Sequence, residues 1–189
     1  MNTRRSLLAG AGSLLVAACQ PGSDLPPVPD YLVDRYELGS GDQIRIITFG
    51  EDQLTGDFRV GDDGDIALPL LGNLHVAGLT TEQVDQRIAS GLRTRNLIRD
   101  PSVSTEVIRY RPIFVLGEVT RPGEYPYQPN MTMLTAVAVA GGFTYRAVES
   151  YAEIIRTIGG HNRQPVVGLI RPSSFIAPGD VVKIFMRRF

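Results

Sequence analysis

Tryptophan is absent from this chain, cysteine occurs once, and histidine occurs only at positions 75 and 161. Without tryptophan there is no belt of indole rings to sit at a membrane interface. One cysteine excludes an internal disulfide. Neither His75 nor His161 has a metal-ligand or nucleophile partner at a suitable spacing, so no metal site, cofactor or catalytic pair is expected. A Gly-x-Ser-x-Gly nucleophile elbow is also missing. Charge of neither sign dominates, with 19 basic against 20 acidic residues, so no basic footprint for nucleic acid exists. No apolar run approaches the roughly 20 residues that a membrane-spanning helix needs. What remains is 189 residues, 43% hydrophobic, long enough to bury the core of one domain or two small ones.

The single cysteine is placed with purpose. Arg4 and Arg5 form a positive head, Leu7 to Leu15 form an apolar stretch broken by Gly10 and Gly12, and Val16-Ala17-Ala18-Cys19 follows. This three-part pattern is a secretory signal, too short to be a span. Val-Ala-Ala-Cys resembles the bacterial lipobox, in which the cysteine sulfur receives diacylglycerol before cleavage between Ala18 and Cys19. Thr3-Arg4-Arg5-Ser6-Leu7-Leu8 also resembles a twin-arginine export signal, and paired arginines occur in ordinary secretory heads, so both routes stay open. Gln20, in place of an aspartate, resembles lipoproteins sorted to the outer membrane. Cleavage leaves 17 basic against 20 acidic residues, a formal charge of −3. Several acyl chains hold a protein firmly where one is marginal, so the expectation is a tethered periplasmic protein.

Residues 20–30 carry Pro21, Gly22, Ser23, Pro26, Pro27 and Pro29, a composition that favours extended, unpaired backbone and reads as a spacer. The body then shows one punctuation twice. Tyr36-Glu37-Leu38-Gly39-Ser40-Gly41-Asp42 leads into Ile44 and Ile46, and Phe175-Ile176-Ala177-Pro178-Gly179-Asp180 leads into Val182 and Ile184. In each, an aromatic precedes Gly-Asp and a strand with one apolar face follows. The glycine permits a turn with positive φ, and the aspartate is suited to bond the turn's backbone. Two related or mutually packed lobes are predicted. Gly39-Ser40-Gly41 opens a strand, so it offers an anion no helix N-terminus.

Between these ends, Asp62-Asp63-Gly64-Asp65 reads as a hairpin turn between short strands, followed by Ile66 to Gly72 with Pro69. Its acidic residues lack the ligand spacing of a calcium loop. Thr80-Thr81-Glu82-Gln83 predicts a capped helix start, with Val84, Ile88 and Leu92 as one stripe closing over a sheet. Val103, Thr105 and Val107 alternate as a strand. Ile113 to Tyr125 reads as a buried strand, a break at Gly117, the Pro122-Gly123 turn and a return strand. Met131 to Ala140 predicts a short helix, apolar on nearly every face and stopped by Gly141-Gly142. Strands are predicted at 152–157, 166–170 and 181–185, with Gly159-Gly160-His161-Asn162 as a hairpin turn. A small sheet crossed by one helix is an α+β lobe of β-grasp type.

Taken together, Gly41-Asp42, Val60 through Gly72 with Gly64 and Pro69, and Ala77-Gly78-Leu79-Thr80 make residues 31–108 resemble the export domain of bacterial outer-membrane polysaccharide export lipoproteins. Val115 to Tyr125, with Gly117, Glu118, Pro122 and Gly123, and Leu134 to Phe143 ending in Ala140-Gly141-Gly142-Phe143, make residues 109–189 resemble the soluble-ligand-binding β-grasp (SLBB) domain that follows it. The organisation expected is a signal peptide over 1–18, a proline-rich tether over 19–30 and these two domains, the first with a mixed sheet and one helix. The resemblance implies a non-enzymatic, outer-membrane-anchored periplasmic protein. It would form a homo-oligomeric ring that passes capsular or exopolysaccharide from an inner-membrane copolymerase to the exterior.

Larger members carry a C-terminal amphipathic helix that lines an α-helical pore. Here the sequence stops at Phe189, directly after the last strand, so the short class is implied and the polymer would cross through a separate outer-membrane β-barrel. The motif glycines, prolines and Glu118 are read as structural, with the sugar-contacting residues unassigned. Glu118 and Glu124, imagined as a glycosidase pair, read as a solvated hairpin rim. The alternative is a monomeric lipoprotein that binds a saccharide or scaffolds the envelope.

Overall fold

Strand β1 (Gln43–Thr48) alternates strictly, with Ile44, Ile46 and Thr48 buried and Arg45 and Ile47 exposed, as period-two patterning requires of a sheet with one covered face. The computed structural model to which it belongs describes residues 20–28, 31, 36–158 and 164–187. The signal segment, Ala18, Cys19 and the turn at His161 therefore lie outside the described residues.

β1 is the middle of a three-stranded sheet, flanked by β2 (Gly56–Arg59) and β5 (Val103–Arg109). Both pairings are antiparallel, so this sheet is not the mixed one expected of the first lobe. The chain reverses through the separate hairpin of β3 (Asp65–Leu68) and β4 (Gly72–His75) before helix α1 (Thr81–Thr94), and this delivers β5 antiparallel to β1. The acidic turn at Asp62-Asp63-Gly64 is also reassigned. It joins β2 to β3, which lie in different sheets. Ile66 and Leu68 are buried and turn inward, while the hairpin partner comes from beyond Pro69.

α1 begins as its sequence predicts. The Thr80 side chain accepts from the Gln83 amide, and the Gln83 side chain accepts in return from the Thr80 amide, satisfying two donors that a helix start leaves open. Val84, Ile88 and Leu92 are fully buried and join Leu38, Ile44, Ile46, Leu54 and Ile66 in one core. Each such side chain contributes about 1.5–3 kcal/mol by leaving water.

The second lobe is a five-stranded sheet in the order β7-β6-β10-β8-β9. Its strands are β6 (Ile113–Gly117), β7 (Gly123–Tyr125), β8 (Ala152–Ile158), β9 (Gln164–Ile170) and β10 (Val181–Ile184). β6 and β10 are parallel and the other pairs antiparallel, so the mixed sheet lies here. Helix α2 (Met133–Val139) packs Met133, Ala136 and Val137 into a core with Ile113, Val115, Ile154, Val182 and Ile184. Thr132 and Thr135 close a second capping box at its start. The fold class is α+β, as expected.

Residues 20–28 are not the unpaired spacer their composition suggests. Val28 N–H donates to Leu169 O at 3.1 Å, and Leu169 N–H donates to Pro26 O at 2.8 Å. Val28 is buried in the second core, and the Tyr151 hydroxyl donates to Pro21 O. Three prolines remove donors from this segment but leave its carbonyls, and β9 is an edge strand with open backbone groups to meet them. Gly168 allows the approach, since a Cβ there would stand 2.3 Å from Pro26 O.

Candidate functional site

Two buried aspartates flank the place where the lobes join. Asp42, at the head of β1, accepts from Gly39 N–H at 2.7 Å, and Asp180, at the head of β10, accepts from Ala177 N–H at 2.6 Å. Each therefore closes its own turn from three residues away, which is the role their shared Gly-Asp context suggests. A carboxylate withdrawn from water also needs a charged partner. Asp42 takes Arg111, through the backbone N–H at 2.8 Å and Nη1 at 3.0 Å. Asp180 takes Arg156, through Nε at 3.0 Å and Nη2 at 2.7 Å.

Arg111 also joins the lobes. While its Nη1 reaches Asp42 and the Tyr36 hydroxyl at 2.9 Å, its Nε donates to Pro178 O at 3.0 Å, in the turn that precedes Asp180. Gly179 N–H donates to Pro112 O in the same place. A Cβ on Gly39 would stand 2.3 Å from the Arg111 guanidinium, so a side chain there would displace the arginine from its place. The Tyr36 hydroxyl donates to Asp42. Tyr36, Tyr110 and Tyr127 stack edge to face, with centroids 4.9 and 5.4 Å apart, a preferred geometry for aromatic pairs. Tyr31 lies under Arg156, whose guanidinium carbon is 5.3 Å from the ring centre.

Burial sets the titration of this seam. It is the main cause that raises Tyr36, reinforced by the Asp42 carboxylate, and Arg111 offsets only part. Tyr127 is pushed up to about 12, again chiefly by burial. Burial raises Asp180 as well, with the Arg156 guanidinium and the Ala177 amide pulling against it. Tyr36 is the aromatic of the first Gly-Asp pattern, whereas Arg111, Arg156, Tyr110 and Tyr127 are not singled out by the sequence. The only signal for Arg111 was its place in Tyr110-Arg111-Pro112, between the last strand of one lobe and the first of the next.

The motif residues read from the sequence are spread over turns and do not converge. Gly41, Gly64, Gly72, Gly78, Gly117, Gly141 and Gly142 have positive φ, whereas Gly123 lies within β7. Pro69 begins the β3–β4 turn, its carbonyl accepting from Leu71 N–H at 2.8 Å, and Pro122 precedes β7. Gly117 is required on two counts: its φ is +84° and a Cβ would stand 2.1 Å from Ile184 O. The Glu118 carboxylate accepts from the Thr144 hydroxyl at 2.6 Å, tying the hairpin to the loop after α2. Glu124 is exposed on β7. His75 Nδ1 is 2.7 Å from Asp65 Oδ1. Among the described residues, no group of three His, Cys, Asp or Glu side chains is arranged to hold a metal.

Beside the seam, a cleft of about 630 Å³ opens between the start of α1 and β5, bounded by Tyr36 and Tyr110. Thr105 is part of its lining, and Thr105 Oγ1 and Asp85 Oδ1 are buried without a hydrogen bond of normal geometry. Burial raises the Asp85 carboxyl, and the nearby Thr105 pulls it part of the way back. Among the described residues, no helix is long and apolar enough to cross a membrane, which says nothing of a β-barrel.

Residues 31–108 match the family described as polysaccharide biosynthesis/export protein, and residues 112–168 match the SLBB domain. Exopolysaccharide production protein ExoF of Rhizobium meliloti (strain 1021) is 37% identical over 142 residues, covering 69% of this chain and 32% of that protein. EPS I polysaccharide export outer membrane protein EpsA of Ralstonia nicotianae (strain ATCC BAA-1114 / GMI1000) is 29% identical over 161 residues, 80% of this chain and 41% of that one. Polysialic acid transport protein KpsD of Escherichia coli is 27% identical over 140 residues, 73% and 24% respectively. The chain thus spans well under half the length of these curated relatives. Two matches in this order, one on each side of the seam, establish that the chain belongs to the polysaccharide biosynthesis/export family, with an export domain followed by an SLBB domain.

Proposed function

We propose that the protein is a lipid-anchored component of a polysaccharide export channel at the periplasmic face of the outer membrane. In this reading a homo-oligomeric ring of subunits forms a collar that receives polymer from an inner-membrane copolymerase and passes it to an outer-membrane β-barrel. It acts without catalysing a reaction. Family membership supports the pathway, and relatives named as outer membrane export proteins support the location.

The observation that carries the reading is the seam at Arg111. A collar subunit must hold its two lobes as one body, because a ring closes only when every subunit presents the same pair of faces at the same angle. Arg111 bonds Asp42 on one side and Pro178 on the other, and this supports such a body. The docked segment 20–28 supports the polarity. β10 leaves the seam at Val181, and just beyond its far end Phe185 packs against Gly22. A lipid on Cys19, one residue before Gln20, would then hold the second lobe toward the membrane and direct the export domain into the periplasm.

Replacing the lipid acceptor tests the anchor. In producing cells, Cys19→Ala is expected to move the protein from the membrane to the soluble periplasmic fraction and to reduce surface polysaccharide. Unchanged fractionation together with unchanged export would contradict the proposal.

A further inference from the structure

The second lobe presents apolar side chains to solvent on both of its sides. Alternation along β6 sends Ile113 and Val115 into the core beneath α2 and turns Phe114 and Leu116 outward, 38% and 41% exposed. On that outer face Phe114 is registered with Val181 of β10, Val181 with Ile155 of β8, and Ile155 with Val167 of β9, the last three half-buried. An apolar row therefore crosses the sheet. In the next row Lys183 and Glu153 satisfy each other at 3.0 Å. The other side of the lobe is closed by α2, whose Met133, Ala136 and Val137 pack into the core. Its outward stripe is Leu134, Thr135, Ala138 and Val139, with Leu134 51% and Val139 40% exposed. No residue of α2 is charged, so water is a poor neighbour for that stripe.

Each of these faces fits the other. A helix laid on a sheet is the layering that the lobe already uses inside itself, and the charges at the margins are of opposite sign. Glu124 of β7 is registered with Phe114 at the edge of the sheet face. Arg171 stands by the start of α2, where the neighbouring Pro172 O accepts from Leu134 N–H at 3.0 Å, and Arg121 stands by its end, where its N–H donates to Ala140 O at 2.9 Å. Among the described residues, the side chains of Glu124, Arg121 and Arg171 have no ion-pair partner. The two faces lie on opposite sides of one sheet and cannot meet within a subunit. A contact between them is heterologous and repeats from subunit to subunit until a ring closes.

We propose that the outer stripe of α2 docks on the open sheet face, around Phe114 and Leu116, of a second copy of this chain. The inference rests on the collar proposed above and names the pair of faces that closes it.

The test is sedimentation velocity of the full acylated protein in detergent, in the conditions that assemble the wild type. Leu134→Asp spoils the helix stripe and Phe114→Asp spoils the sheet face, and each alone should associate at least about tenfold more weakly. Mixed in equal amounts, the two variants should form a dimer and nothing larger. Leu134→Asp still offers an intact sheet face, Phe114→Asp still offers an intact helix stripe, and the spoiled faces cap the pair at both ends. Glu124→Lys, at an exposed site outside the core, tests the contact without touching the packing. It should weaken assembly about tenfold, and Arg121→Glu or Arg171→Glu, whichever arginine faces it, should restore it.

Full-sized assemblies from either aspartate variant alone, or a mixture that stays monomeric, would overturn the inference. So would a Glu124→Lys protein that assembles like the wild type, or one that neither arginine reversal rescues. In each of those cases the wild type still assembles, so the collar stands and only its contact faces fall. A wild type that stays monomeric with its barrel and inner-membrane partners present overturns the collar and this contact together.

Discussion

Asp42 and Asp180 hold the same position in the two lobes: each is buried at the head of a strand, each accepts the backbone N–H of the residue three before it, and each is held by an arginine. They differ in what the arginine does besides. Arg156 donates to Phe175 O in the turn before β10, whereas Arg111 reaches from Asp42 of one lobe to Pro178 of the other.

That difference predicts different thermal behaviour. Removing one partner of a buried ion pair costs about 3–5 kcal/mol because the other charge is stranded. Arg156→Met should therefore destabilise the second lobe. Arg111→Met should also uncouple the lobes, so that a single calorimetric transition becomes two. A double-mutant cycle of Arg111→Met with Asp42→Asn should return a coupling of about 0.5–3 kcal/mol. A single transition at the wild-type temperature in Arg111→Met would show that the seam does not join the lobes.

Alkaline pH should attack the same seam. Tyr127 is pushed up to about 12 from the usual 10.0, and Tyr36 is raised further. Below about pH 10 these phenols are protonated whether the chain is folded or not, and their contribution is fully present. Above it the unfolded chain loses the protons first, so stability falls as pH climbs through the folded values. Thermal melts followed by tyrosinate absorbance, free of tryptophan overlap, should show melting temperature declining from about pH 10 upward, less steeply in Tyr127→Phe. A melting temperature flat across that range would contradict the account.

The hairpin glycines are separable. Gly117→Ala places a Cβ against Ile184 O in a left-handed conformation. The backbone alone costs about 1–2 kcal/mol and the clash adds to it, so denaturant melts should show a large loss. Gly123→Ala meets nothing within 4 Å and should stay within about 0.5 kcal/mol of wild type. Equal losses at both positions would refute this geometry.

What the sequence disclosed was local. The Thr80–Gln83 capping box, the Val84-Ile88-Leu92 stripe and the repeated Gly-Asp turns were legible because each depends on residues a few places apart. Arg111 was not, since its partners lie 69 and 67 positions away and a lone arginine after a strand carries no periodic signal. The proline-rich segment misled for a related reason: composition reports which donors are missing, but the open edge of β9 that receives Pro26 and Val28 is made by a strand far along the chain. The acidic turn at Asp62 to Asp65 was recognised as a turn, yet which strand pairs with β3 depends on where Ile66 and Leu68 find the core.

The collar is tested most directly by light scattering on the acylated protein in detergent, alone and with its outer-membrane barrel and inner-membrane partners. The account predicts one closed species at an integral multiple of the monomer mass. A strict monomer at high concentration, persisting when those partners are added, would contradict it.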